Sequence, residues 1–343
     1  MSNAASQSAS SRPGAARGLA SAWWLRHETI LAVLVVGEWL FFNSVGRRFG
    51  TWDNTFDILR HSAEIGLLSL ALTPVILTGG IDLSVGSLLG LCAVVFGKLW
   101  RDAGLPVAAA ASITLVVGGL AGGVNAALIS GLRLPPLIVT LGSFSLFRGL
   151  AEALTRGVDT FTNFPSGFLF IGQERWLGVP AQTPVFLAAA SFFWIWVHRT
   201  AQGRSFRAIG FSPEGSQYAG IPVRRRVASV YVAAGVVAAV AAILYTARLG
   251  QAKADAGTGY ELYAITAVVL GGTSIFGGVG SVHGALLGVI AIAILNNGLV
   301  HARQPREVAG MLTGVLLIVA LSVKPAIQRV ALSWSRRKPG AKV

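Results

Sequence analysis

The stretch VASVYVAAGVVAAVAAILYTA, residues 227–247, is an uninterrupted apolar run without a charged side chain. A second run, residues 105–131, has the same character. Each is long enough to cross the hydrocarbon core of a bilayer, which takes about 20 residues of helix. Lipid offers the backbone no hydrogen-bond partners, so a segment of this kind crosses as a helix. The two runs therefore predict an all-α, polytopic membrane protein.

The composition of the whole chain agrees with this class. Of the 343 residues, 53% are hydrophobic and 12% are charged, against about 25% charged residues in soluble domains. The single cysteine, Cys92, excludes a disulfide framework and a four-cysteine zinc site. The net charge of +14 fits the basic cytoplasmic loops of a membrane protein better than a nucleic-acid-binding surface. We therefore expect no nucleic-acid partner.

About ten membrane spans are predicted, with both termini in the cytoplasm. The arginine-dense segments 199–226 and 324–342 then lie on the cytoplasmic side, as the positive-inside rule requires. Residues 1–27 are interpreted as a disordered cytoplasmic tail rather than a signal peptide, and residues 325–343 as a basic cytoplasmic tail. The membrane domain, residues 28–324, holds spans at 29–46, 60–79, 81–100, 105–131, 134–155, 183–198, 227–247, 262–276, 281–299 and 308–324.

A glycine-rich stretch, VILTGGIDLSVGSLLG at residues 75–90, separates the second and third spans. Pro74 and the paired glycines predict a break in the helix. Asp82 and Ser84 are expected to cap the helix that follows, by accepting hydrogen bonds from its first N–H groups. Aspartate at membrane depth is costly, so its side chain should not face lipid. Two interpretations stay open: a capped turn near the inner face, or a role for Asp82 at a gate or in a subunit contact.

A similar stretch, VVLGGTSIFGGVGSVHG, recurs at residues 268–284. In the predicted topology both stretches lie on the cytoplasmic side, and their likeness suggests an internal repeat of the kind found in transporters. Neither contains the G-x-x-x-x-G-K-[ST] pattern of a nucleotide-binding loop, so any ATP must be bound by another polypeptide. The candidate gate or turn residues are Gly79, Gly80, Asp82, Ser84, Gly86, Ser87, Gly271, Gly272, Gly280 and Ser281.

Polar side chains in the fourth and fifth spans are candidates for a solute pathway. Hydroxyl groups beside aromatic rings suit a sugar-like solute, although packing between helices is the more frequent role of such residues. Close packing is also expected of the glycines of the fourth span, and an ion pair of Arg148 with Glu152. The possible pathway residues are Asn125, Thr140, Ser143 and Phe144.

A long basic loop, residues 199–226, joins the sixth and seventh spans and contains GRSFRAIGFSPEGSQYAGIPVRRR at 203–226. Ser212 as a cap, Pro213 in the first turn and Glu214 near the positive end of the helix predict a short helix over residues 213–219. A helix this short is not stable alone in water, so it needs a partner surface. An ordinary positive-inside loop is the alternative, and docking of a cytoplasmic protein is the better-supported interpretation.

Four stretches together resemble the membrane permease subunits of bacterial sugar ABC importers. They are GGIDLSVGS, NAALISGLRLPPLIVTLG, GRSFRAIGFSPEGSQYAGI and AITAVVLGGTSIFGGVGS, which begin at residues 79, 125, 203 and 264. The resemblance covers roughly residues 31–323 and is to the ribose, xylose and arabinose branch, especially its rhamnose and autoinducer-2 members. The chain departs from it in the long tail before the first span and at Pro213, where other members often carry a different sequence.

The resemblance implies a set of partners and a position for the docking helix. It implies a second permease copy or a sibling permease, two cytoplasmic ATP-binding subunits or one tandem ATPase, and a periplasmic solute-binding protein, in the bacterial inner membrane. A coupling helix that sits in a groove of the ATPase matches residues 203–221. The coupling residues it implies are Gly203, Arg207, Gly210, Pro213, Glu214, Gln217, Tyr218, Ala219 and Gly220.

Three other classes of membrane protein fit the sequence less well than an ABC importer permease. An ion-coupled secondary transporter normally needs ionisable residues deep in its spans, and only Glu38, Glu64, Asp82 and Glu152 qualify. A channel would lack a recognisable filter sequence here. An enzyme is disfavoured because no nucleophile–base or metal-ligand spacing appears. No catalytic residue, cofactor or metal is therefore expected.

Overall fold

The computed structural model describes residues 27–46, 48–305 and 308–319, and this part of the chain is almost entirely helical. Each of the ten predicted spans coincides with a helix. The helices are α1 (His27–Val45), α2 (Trp52–Leu77), α3 (Val85–Arg101), α4 (Val107–Ala126), α5 (Pro136–Leu154), α6 (Ser166–Gln173), α7 (Thr183–His198), α8 (Ala201–Phe211), α9 (Pro213–Tyr218), α10 (Val223–Leu249), α11 (Tyr260–Leu270), α12 (Val282–His301) and α13 (Val308–Val319).

Five of these helices are both long and apolar enough to cross a membrane. They comprise Glu28–Val45 of α1, α4 with the π-helical turn Ala127–Gly131 that extends it, and the whole of α5, α10 and α12. Shorter apolar helices are α7, α11 and α13. The predicted fold class, an all-α polytopic membrane protein, is confirmed. The predicted tails, residues 1–27 and 325–343, and the end of the last span lie outside the described residues, except for His27.

Helix boundaries differ from the prediction where capping and glycine chemistry override hydropathy. The second span begins earlier, at Trp52, because the Thr51 side chain accepts a hydrogen bond from the Asn54 N–H and caps the helix. Pro74 lies inside α2 without ending it, so the predicted break occurs after Leu77. The eighth span is a helix only over Tyr260–Leu270, although the apolar sequence continues to residue 276.

Two helices and a β-hairpin were not predicted from the sequence. Residues 166–173 form α6, which is followed by a small antiparallel hairpin of β1 (Arg175–Trp176) and β2 (Val179–Pro180). The predicted cytoplasmic loop 199–226 is wrong as a loop, because its first half is the helix α8. Thr200 caps α8 by accepting a hydrogen bond from the Gly203 N–H.

Helix α10 lies at the centre of the bundle and packs against α2, α3 and α4. Its contact with α4 is backbone against backbone, since a Cβ added at Gly235 would stand 2.2 Å from the Gly118 carbonyl oxygen and 2.9 Å from the Gly122 Cα. The expected close approach through the glycines of the fourth span is therefore confirmed for Gly118 and Gly122. Gly123, in contrast, faces open space.

The non-helical residues 250–259, between α10 and α11, turn back into the bundle and lie against α3. The carbonyl oxygens of Ala254 and Ala256 are both within 3.0 Å of where a Gly90 Cβ would be. Arg148 of α5 donates hydrogen bonds to these two carbonyls. The expected ion pair with Glu152 is not formed, because the guanidinium donates to these partly buried carbonyls instead. Helix α11 spans about 16 Å, half of a bilayer core.

Candidate functional site

The two glycine-rich stretches form the same type of helix end. After α2, the N–H of Gly79 donates to the Ile76 carbonyl and the N–H of Gly80 to that of Val75. After α11, the N–H groups of Gly272 and Thr273 donate in the same pattern to Val269 and Val268. Both are Schellman motifs, in which a left-handed residue satisfies the last carbonyls of the helix.

The left-handed residues are Gly79, with φ of +83°, and Gly272, with φ of +88°. The two similar sequence stretches therefore have the same backbone structure. In this structural alignment, Gly79 is equivalent to Gly272 and not to Gly271. The two Gly-Gly pairs are offset by one residue, because in the second turn the first glycine, Gly271, is the cap.

The two turns meet at one end of the bundle. The N–H of Gly278 donates a 2.9 Å hydrogen bond to the carbonyl of Leu77, the last residue of α2. Helix α8 crosses this contact at Gly210, where an added Cβ would stand 2.0 Å from the Leu77 oxygen and 2.2 Å from the Gly278 nitrogen. We call Gly79, Gly210, Gly277 and Gly278 the glycine junction. It joins the end of α2 and the loop that follows α11 to α8 through close backbone contacts.

Helix α9 follows α8 directly and has the capping predicted for it. The Ser212 side chain accepts a 3.0 Å hydrogen bond from the Gly215 N–H, and Pro213 is the first helical residue. The helix ends at Tyr218, and Gly220 takes a left-handed conformation with φ of +79°. Pro222 then caps α10. The predicted helix 213–219 is confirmed to within one residue.

The nine predicted coupling residues divide into an outer and an inner group. The outer group is exposed, with Tyr218 at 93% exposure, and consists of Pro213, Glu214, Gln217, Tyr218, Ala219 and Gly220. The inner group, Gly203, Arg207 and Gly210, packs α8 onto the bundle. Arg207 donates to the Val197 carbonyl at 3.0 Å, and partial burial lowers the pKa of its guanidinium. The outer group is exposed to water, and the inner group packs against the rest of the bundle.

A cleft of about 410 Å³ opens beside α9 at the same end of the bundle. Its lining includes Glu214 and Gln217 of α9 and Gly79 of the first glycine turn. Two arginines, Arg133 and Arg224, also line it. A displacement of α9 therefore changes the shape of this cleft and the surroundings of the first glycine turn.

A buried chain of hydrogen bonds connects the first glycine turn to α4 and α5. The Oδ1 of Asp82 accepts from the N–H of Ser84 at 2.8 Å and from its hydroxyl at 2.6 Å. Asn125 donates from Nδ2 to the Ser84 hydroxyl oxygen at 2.9 Å and accepts from the Ser143 hydroxyl. Thr140 donates to the Ile81 carbonyl at 3.1 Å.

These buried hydrogen bonds change the interpretation of several residues predicted from the sequence. Ser84 does not cap α3 with its side chain, because its hydroxyl is bound to Asp82 and Asn125. The side chains of Asn125, Thr140 and Ser143 are buried and take part in these hydrogen bonds, and Phe144 is half-buried. Their arrangement favours the packing role over the pathway role.

The other predicted turn residues lie within or beside helices. Gly86 and Ser87 belong to α3, and the Ser87 hydroxyl donates to the Ser84 carbonyl. Gly271 packs backbone to backbone on Gly284. Ser281, which follows Gly280, caps α12 by accepting from the Gly284 N–H at 3.0 Å.

A buried ion pair and an exposed aromatic side chain were not predicted from the sequence. Glu64 of α2 and Arg248 of α10 form a buried ion pair at 2.7 Å, and only the separate charged residues were visible in the sequence. Phe276, in the second glycine turn, is 82% exposed at the same end as α9. In the described ranges no three His, Cys, Asp or Glu side chains are grouped to hold a metal ion.

Comparison with known proteins identifies the class of this architecture. Residues 54–321 match the family model described as "Branched-chain amino acid transport system / permease component". The chain belongs to this permease family. It is also 38% identical over 299 residues, 86% of this chain and 90% of the relative, to the autoinducer 2 import system permease protein LsrD of Escherichia coli K12, and equally to those of Shigella flexneri and Escherichia coli O157:H7. No solved structure matches the chain.

The family places the glycine junction and α9 in a multi-pass membrane protein that serves as a transport component. The resemblance to the permease subunits of bacterial ABC importers is thereby confirmed. Permease subunits of this kind are not themselves enzymes.

Proposed function

We propose that this permease forms the membrane path of an importer driven by ATP hydrolysis on separate cytoplasmic subunits. A second copy or a sibling permease completes the path, and a periplasmic binding protein delivers the solute at the bacterial inner membrane. The solute is a small sugar-like molecule of the autoinducer-2 or rhamnose class. Likeness over most of the chain to permeases that bear the autoinducer-2 import name supports this choice of solute.

The observation that carries the proposal is the geometry of α8 and α9. A two-turn helix is capped at Ser212 and exposes Glu214, Gln217 and Tyr218 to water. The preceding helix contacts the end of α2 and the loop that follows α11 through the glycine junction. A force applied to α9 by a docked ATPase therefore reaches both α2 and this loop. The ATPase shifts the outward-facing and inward-facing states only through contacts that differ between them.

Truncation of the exposed face of α9 tests this assignment. Because these side chains touch water, the variant Glu214→Ala, Gln217→Ala, Tyr218→Ala should insert and fold like the parent. Loss of an interface aromatic costs about 2 kcal/mol or more, or roughly 30-fold in affinity. Uptake and permease-stimulated ATP hydrolysis should therefore collapse together. Leu177→Ala, at the exposed tip of the hairpin, is the matched control and should leave both unchanged.

Two results would contradict the proposal. Uptake at the parent rate in the triple variant would refute the role of α9. Uptake by the purified chain alone, driven by a proton gradient without ATPase subunits, would favour the ion-coupled transporter instead.

A further inference from the structure

The loop that follows the second glycine turn exposes Phe276 to water and is held by several internal hydrogen bonds. Within residues 274–280, the Ser274 N–H donates to the Val279 carbonyl at 2.8 Å and the Gly277 N–H to the Ser274 carbonyl at 2.9 Å. The Phe276 N–H donates to the Ser274 hydroxyl oxygen at 3.3 Å. These bonds fix the tip of the loop, so the 82% exposure of Phe276 is a property of an ordered turn.

The loop lies against helix α8, which leads directly into α9. Its Gly278 lies against the ring of Phe211, with 2.9 Å between that ring and an added Cβ. Phe211 is the last residue of α8 and is itself 71% exposed. Helix α9 begins two residues later, at Pro213, and ends at Tyr218, which is 93% exposed. Three exposed aromatic side chains thus lie on two segments of the chain, α8–α9 and the loop 274–280, that meet at the glycine junction.

Exposed aromatic side chains held by rigid backbone are typical of the anchors of protein interfaces. Lone exposed apolar residues are common and need no partner, but several exposed aromatic side chains on two segments in contact with each other are typical of a binding surface. The loop sequence GGTSIFGGVGS, residues 271–281, contains no lysine or arginine. It therefore lacks the cationic residues that attract a surface loop to anionic lipid.

We propose that residues 274–280 form a second element of the ATPase-docking surface, with Phe276 inserted in an apolar groove of the same ATP-hydrolysing subunit that receives α9. This rests on the proposed function of α9. With both elements bound, the ATPase would contact the loop that follows α11 directly as well as through α8.

Cysteine protection in the assembled transporter tests the second contact. The native Cys92 is fully buried and gives little background with a membrane-impermeant maleimide. Phe276→Cys, Tyr218→Cys and the control Leu177→Cys are prepared separately, as the permease alone and with its ATPase subunits, in membrane vesicles permeabilised so that the maleimide reaches both faces. Phe276→Cys and Tyr218→Cys should both be labelled in the permease alone and both be protected after assembly. Leu177→Cys should give the same labelling in the two preparations.

Each pattern of protection has one interpretation. Protection of Tyr218→Cys without protection of Phe276→Cys would overturn the second contact and leave the role of α9 intact. Protection of neither would overturn both proposals. A Phe276→Cys side chain that resists labelling even without ATPase subunits would place the loop in lipid or against another part of the permease and would also overturn the second contact.

The functional consequence is measured on the same transporter. Phe276→Ser should lower permease-stimulated ATP hydrolysis about fivefold or more, the effect of removing an interface anchor. Phe276→Leu, which keeps an apolar side chain, should retain most of the stimulation. Equal stimulation by Phe276→Ser and the parent would overturn the contact.

Discussion

Substitution of Gly210 by alanine isolates the contribution of the glycine junction. The new Cβ would stand 2.0 Å from the Leu77 oxygen and 2.2 Å from the Gly278 nitrogen, which are joined by a 2.9 Å hydrogen bond. Both atoms are backbone, so neither moves aside by rotating a side chain. Helix α8 must lift away from the turns, or the Leu77–Gly278 bond must open.

The expected loss in the free energy of unfolding has two parts. Overpacking costs about 1–3 kcal/mol, and loss of one backbone hydrogen bond costs about 1 kcal/mol. The better helix propensity of alanine returns about 1 kcal/mol. Because the methyl group would overlap both atoms of the Leu77–Gly278 bond, both costs apply and a net loss of about 1–3 kcal/mol remains; 1 kcal/mol is about fivefold in an equilibrium. ATP-driven uptake should therefore fall about fivefold or more.

The assay compares Gly210→Ala with a glycine that has room for a methyl group. Gly37 of α1 is the matched control, because an added Cβ there meets nothing within 4 Å. Uptake by the assembled transporter in proteoliposomes and thermal unfolding of the purified permease are measured for both variants. Identical uptake and unfolding temperature for the two would refute the coupling role of the junction.

Two further predictions concern the buried polar groups. Asn125→Ala removes the partner of two buried hydroxyls, so the free energy of unfolding should fall by about 1–3 kcal/mol, whereas Ser145→Ala, on the exposed face of α5, should leave the unfolding temperature unchanged. Glu64→Gln should destabilise the fold by about 3–5 kcal/mol, because it leaves the buried charge of Arg248 without its counter-ion. The double variant Glu64→Gln, Arg248→Met should recover much of this loss, and Lys98→Met, in an exposed ion pair, should cost less than about 1 kcal/mol. A double variant no more stable than Glu64→Gln, or an Asn125→Ala variant that unfolds like the parent, would contradict these assignments.

Features governed by local chemistry were predictable. The ten apolar runs each became a helix, because a buried or lipid-facing backbone must satisfy its hydrogen bonds within the segment. The Ser212 cap and the short helix after it were also read correctly, since a cap depends on residues only three positions apart. The candidate docking segment was found for the same reason.

Features that depend on distant parts of the chain were not predictable. The sequence suggested that Ser84 caps α3, but its hydroxyl is bound by Asn125, about forty residues later. Hydropathy extended the eighth span to residue 276, while the Schellman end at Gly272 stops the helix at Leu270. A contact from outside the local window decided the first case, whereas in the second the glycine turn ended a helix that hydropathy alone would continue.

The sequence by itself determined the membrane class, the order of the helices and the existence of a short capped helix on the polar side. Only the tertiary structure decided that Gly79, Gly210 and Gly277 meet, since they lie on three elements far apart in the chain. Hydrophobicity and capping act between neighbouring residues and are written in the order of the amino acids. Close backbone contact requires helices to be packed first, and the packing is set by all of them together.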